Sequence, residues 1–177
     1  MKKIKKNPLK LPLDMDALRA IIKPSDNVVM WKKAYEKISL GDFLDQREGG
    51  KPRGIWYACG MEWLEWVEEE MPHWQFPYVY FLKIYKGRFI KLKTVAEIKD
   101  FTEEYGAWRA ISIKTEYVNA IHWEDVAEDY SGIEICPYQH KARNAPETSW
   151  YGGWDIASGC IWNTNCIEGV EEVKLGD

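Results

Sequence analysis

Hydrophobic positions along the chain switch between helical and strand spacing, and the switches mark out its elements. Met15, Leu18, Ile21 and Ile22 recur at helical spacing after Asp14, and Pro24 ends that helix. Val28 to Trp31 is a β-prone run, followed by a polar stretch to Phe43 that reads as a surface crossing. The segment from Asp45 to Arg53 has the charge, Gly and Pro content of a loop. Beyond it, GIWYACG (54–60) predicts a strand bounded by glycines. Met61, Leu64, Val67 and Met71 then share one face of a helix, with Glu62, Glu65, Glu68 and Glu69 elsewhere and Pro72 beyond its end.

The second half continues in the same mixed order. YVYFLKIY (78–85) is strongly β-favouring, and the turn at Lys86-Gly87 makes RFIKLK (88–93) its expected hairpin partner. Thr94 with Glu97 forms a capping box for a helix that Gly106 is expected to stop. A short strand is expected from Ile113 to Val118, a helix over HWEDVAEDY (122–130), and a strand over GIEIC (132–136). Residues 137–149 read as a long polar loop. The stretch WYGGWDIASGCIWNTNCI (150–167) joins aromatic rings, small turn-forming residues and the lone carboxylate Asp155 ahead of a short apolar strand at Cys160-Ile161-Trp162. Strands with helices between some and not others define an α+β class, and no repeat of 20 to 50 residues is visible.

With 177 residues the chain is expected to form one domain, residues 27–177, preceded by a basic arm and short helix at 1–26. No apolar run approaches the roughly 20 residues that span a bilayer, and the N-terminal lysines are not followed by a signal-type apolar segment. A cytoplasmic protein without a membrane partner is the expectation. Cys59, Cys136, Cys160 and Cys166 contain no C-x-x-C pair and the three histidines lack zinc spacing, so reduced thiols and no metal are expected. Net charge of −4 argues against a general nucleic-acid binder.

Ten tryptophans and ten tyrosines either fill the core or line a site where flat groups stack. Asp155 is either a turn cap or a carboxylate beside an aromatic cleft. Two further chemistries need only residues present here: Cys160 with His140 as nucleophile and base, and Glu134 with Asp155 as a glycosidase-type carboxylate pair. The common nucleotide, metalloprotease and hydrolase signatures are absent from the sequence.

The order VVMWKKA, GIWYACG, MEWLEWVEEE, YVYFLKI, RFIKLK, a helix ending EEYG, YSGIEI and CIWNTNCI resembles the ADP-ribosyltransferase-like superfamily over residues 27 to 168. The likeness is to its small phage and bacterial members, which include an anti-CRISPR enzyme. It implies an α+β domain of split β-sheets with flanking helices. It also implies a mono-ADP-ribosyltransferase that uses NAD to modify a host or defence protein. By the same resemblance Asp155 is the first candidate for the catalytic acid and Glu134 the second. Trp31, Lys32, Trp56, Tyr57 and Ala58 are the candidates for holding NAD, with Trp56 and Tyr57 sandwiching the nicotinamide. Trp31 and Lys32 stand where the family has histidine or arginine, and Ser158-Gly159 where it has glutamate. A non-catalytic inhibitor that keeps this fold and docks on a protein partner through exposed tryptophans is the alternative.

Overall fold

The computed structural model describes residues 8–32, 45–112 and 115–176. The lysines of residues 1–7, most of the expected surface crossing (33–44) and the start of the strand expected at Ile113 lie outside the described residues. The rest is an α+β arrangement built on one seven-stranded sheet, with a separate two-stranded hairpin.

Helix α1 (Met15–Ile21) starts where Asp14 accepts a hydrogen bond from the Ala17 amide at 3.0 Å, and Leu18 is buried beneath it. Strands β1 (Asn27–Trp31) and β2 (Ile55–Cys59) pair antiparallel, and helix α2 (Glu62–Glu70) follows β2 directly, burying Leu64 and Val67. Strand β3 (Tyr78–Ile84) pairs with the far side of β1. Strand β4 (Phe89–Leu92) leads into α3 (Val95–Tyr105), whose capping box is formed as the sequence predicts. The hairpin β5 (Gly106–Ser112) and β6 (Thr115–Ile121), helix α4 (Trp123–Asp129) and strand β7 (Gly132–Ile135) come next. Helix α5 (His140–Arg143) and a 3₁₀ segment (Pro146–Gly153) occupy the stretch expected as a loop. Strand β8 (Ser158–Ile161), a short 3₁₀ turn and β9 (Ile167–Glu172) close the described chain.

The strand order is β4-β7-β8-β2-β1-β3-β9, with β4 and β7 parallel and every other pair antiparallel. The hairpin expected between β3 and β4 is therefore not formed. β3 lies between β1 and β9, and β4 lies at the opposite edge beside β7. In a flat sheet those positions would stand about 24 Å apart, five strand spacings. The link from Ile84 to Phe89 spans at most about 18 Å when fully extended. The sheet must curl for so short a link to reach, and it encloses an inner face lined by Val29, Tyr57, Tyr80, Leu82, Phe89 and Ile161.

The outer face is covered in two halves. α1 and α2 pack on β1 and β3 through Leu18, Leu64, Val67, Val28 and Val79. Over β7 and β8 lies an aromatic layer of Trp123, Trp150, Trp154 and Trp162, joined by Phe101 of α3. These four indoles fill core, with ring centroids 5.8 to 6.2 Å apart between successive neighbours. β9 is an edge strand, and its Glu168 and Glu171 are exposed. Among the described residues no helix is long and apolar enough to cross a membrane.

Candidate functional site

Register explains which candidate side chains meet. Glu134 of β7 and Tyr57 of β2 both stand opposite Gly159 of the intervening β8, so the two side chains point to the same inner face. A Cβ on Gly159 would lie 2.3 Å from the Tyr57 ring, so only glycine lets the tyrosine lie flat across β8. The Tyr57 hydroxyl then donates to Glu134 Oε2 at 2.7 Å. Lys86, from the link between β3 and β4, donates to the same carboxylate oxygen and to Asn27 Oδ1 at 2.6 Å. The Lys86 and Glu134 side chains are only 20% and 15% exposed, so this pair is largely shielded from water. Burial, and then the Glu134 charge, push the Tyr57 phenol well above its usual range.

Asp155 lies elsewhere. It stands on the turn that leads into β8, its side chain 39% exposed, with Arg143 Nη2 of α5 at 3.4 Å from Oδ1. The Tyr138 hydroxyl donates to the Trp154 carbonyl at 2.5 Å, which ties this turn to the segment after β7. Burial raises the Tyr138 phenol, while the neighbouring Arg143 works against that rise. Asp155, Arg143 and Tyr138 thus form a polar, solvent-facing group. The two candidate acids are not brought together by any contact among the described residues: Glu134 serves the inner face, and Asp155 pairs with a helix on the outer side.

The two strands that flank β8 are joined covalently beside this turn. Cys59, at the end of β2, and Cys136, just after β7, form a disulfide with Cα atoms 6.8 Å apart. This corrects the expectation of four reduced thiols, which rested on local spacing, whereas these cysteines are 77 residues apart in sequence. The Cys59 amide also donates to the Ala157 carbonyl at 3.1 Å.

The candidates for holding NAD divide between faces. Trp56 and Tyr57, as strand neighbours, point to opposite sides of the sheet, so they do not sandwich one ring. Trp56 packs edge-on against Trp154 with centroids 4.8 Å apart, and Lys51 Nζ lies 5.3 Å above it. Ala58 is buried on the outer face opposite Val28. Trp31 is half-buried against Tyr80, centroids 5.4 Å apart, and Lys32 is exposed at the end of β1.

The cysteine and histidine alternative is overturned. Cys160 is fully buried, and that burial drives its thiol upward, away from the nucleophilic thiolate. His140 is exposed on α5, its ring against Tyr138. A glycosidase pair fares no better, because Glu134 is held by Lys86 and Tyr57 rather than facing Asp155.

Sequence reasoning missed Lys86, Asn27, Arg143 and Tyr138. Arg143 and Tyr138 sit in a stretch whose polar composition reads as loop, and Lys86 carried only a turn signal. Compared with known proteins, the chain matches no family model, no curated protein and no solved structure.

Proposed function

We propose that the protein is a mono-ADP-ribosyltransferase that takes NAD as substrate and modifies a protein target. Asp155 is the carboxylate that acts on the nicotinamide-bearing ribose. One placement supports this reading: the strand carrying Trp56-Tyr57-Ala58 pairs with the first strand on one side and, on the other, with the strand into which Asp155 leads. Three of the segments behind the family resemblance, at 27–31, 55–59 and 158–161, are thereby neighbours, and the Asp155 carboxylate is exposed where a ligand can reach it.

The chemistry needs little from the protein. The bond from ribose C1′ to the pyridinium nitrogen breaks, and nicotinamide leaves as a neutral ring with the electron pair. An acceptor side chain of the target bonds to C1′ and releases its proton. A fixed carboxylate stabilises the oxocarbenium-like state and orients the ribose hydroxyls. Arg143 beside it offers a guanidinium for pyrophosphate oxygens. Trp56, which touches the Trp154 ring next to Asp155, is the aromatic candidate on that side. Glu134 positions the Tyr57 strand and does not contact substrate. A host or defence protein as target follows from the family resemblance.

The test is free nicotinamide after incubation with NAD. Wild type is expected to release it, and Asp155→Asn to do so about 100-fold more slowly, the order of loss seen when one transition-state charge contact is removed. Absence of turnover together with absence of an NAD-dependent rise in melting temperature would overturn the proposal. The ion pairing of both acids, Asp155 with Arg143 and Glu134 with Lys86, favours the second reading of a non-catalytic binding protein, and that outcome would select it.

A further inference from the structure

Helix α2 presents two different flanks. Glu65 and Glu68 accept from Arg19 of α1 at 3.0 and 3.2 Å, so that flank is satisfied within the chain. On the other flank Trp63, Trp66 and Glu70 fall at i, i+3 and i+7, with Glu62 and Glu69 beside Trp66 at helical spacing. Trp63 and Trp66 stack with centroids 5.4 Å apart and planes 24° from parallel. Trp66 continues to Trp74 at 6.4 Å, in the 3₁₀ turn Pro72–Trp74, and His73 adds a ring at 6.2 Å. Trp74 is 41% exposed. Glu69 and Glu70 are exposed and form no ion pair among the described residues.

A row of indoles bordered by uncompensated carboxylates is chemistry for cations on apolar stems. A guanidinium or ammonium over an indole face gains a cation–π contact, and the adjacent carboxylates complete the charge pairing. Acidic flanks exclude a phosphate-bearing partner and select a basic polypeptide. Tryptophan and charged borders are also the composition that dominates binding energy at protein interfaces.

We propose that the α2 flank and the Pro72–Trp74 turn form a docking surface for a Lys/Arg-rich segment of a partner protein. This goes beyond the transferase reading and does not depend on it.

The test uses the full chain, a synthetic Arg/Gly-rich peptide and its Glu/Gly counterpart, titrated calorimetrically at low and high salt. Wild type is expected to bind the basic peptide saturably, more tightly at low salt, and not the acidic one. Trp74→Ala and the pair Glu69→Lys/Glu70→Lys should each weaken binding about 10-fold. Both changes fall on solvent-facing positions, and melting curves confirm that the variants fold. No saturable binding, or equal binding by wild type and both variants, overturns the proposal. If wild type does not bind the basic peptide but the variant with Lys2, Lys3, Lys5 and Lys6 replaced by serine does, the chain's own arm is the occupant and the assignment to a partner falls. Nicotinamide release is measured separately, so failure here and failure of the transferase reading are distinct results.

Discussion

Lys86→Met tests the curl of the sheet. Lys86 sits on the four-residue link between β3 and β4, yet its ammonium bonds to Asn27 on β1 and to Glu134 on β7, strands separated by β2 and β8. An exposed ion pair contributes about 0 to 1 kcal/mol, and removing one partner of a fully buried pair costs about 3 to 5 kcal/mol. With side chains 20% and 15% exposed, this pair falls nearer the second case. Lys86→Met is therefore expected to cost about 2 to 3 kcal/mol, because Glu134 is left with only the Tyr57 hydroxyl to balance its charge. With a urea m-value of about 2 kcal/mol/M, the unfolding midpoint should drop by about 1 to 1.5 M. Tryptophan fluorescence in urea reads this directly. Glu134→Gln should cost a similar amount, and the double variant less than the sum, with a coupling of about 1 to 2 kcal/mol. Additivity within about 0.5 kcal/mol, or a midpoint unchanged by Lys86→Met, would refute the role given to this pair.

Three further outcomes are expected. Titration of thiols in the unfolded, unreduced protein should find two, Cys160 and Cys166, and reduction should raise the number to four; four before reduction would refute the disulfide between Cys59 and Cys136. In the native protein at pH 8 neither thiol should react quickly, since burial raises both, Cys166 to about 11. Gly159→Ala should destabilise by about 1 to 3 kcal/mol in urea melts, because its Cβ would displace the Tyr57 ring; wild-type stability would show that the ring does not cross β8.

Elements were legible in the sequence wherever local chemistry sets them. Thr94 and Glu97 cap their helix as their side chains predict, and the β-prone runs at 28–31, 55–59, 78–84 and 132–135 are strands. Pairing was not legible. The Lys86-Gly87 turn signal describes a local bend, whereas β3 pairs edge to edge with β1 and β9, which are distant from it in sequence. β5 was hidden because Gly106 reads as a helix stop, and here it also begins a strand, with φ −73° and ψ 136°. β9 was missed because IEGVEE has the composition of a solvated tail. The site suffered most. Asp155 and Glu134 were named from sequence, but their partners Arg143 and Lys86 come from segments without regular pattern, and the disulfide joins residues too distant for spacing to reveal.

Among the described residues β9 pairs on one side only, which leaves a border of the sheet with amide and carbonyl groups on which another copy of the chain can build. Glu168 and Glu171 stand exposed along that border, and Glu172 is half-exposed beside them. Two copies meeting border to border would bring Glu168 and Glu172 near their own kind, while Glu171 is paired with Lys83 of β3 at 3.1 Å. Self-association along this line is opposed by charge, and the opposition weakens as salt screens the exposed carboxylates.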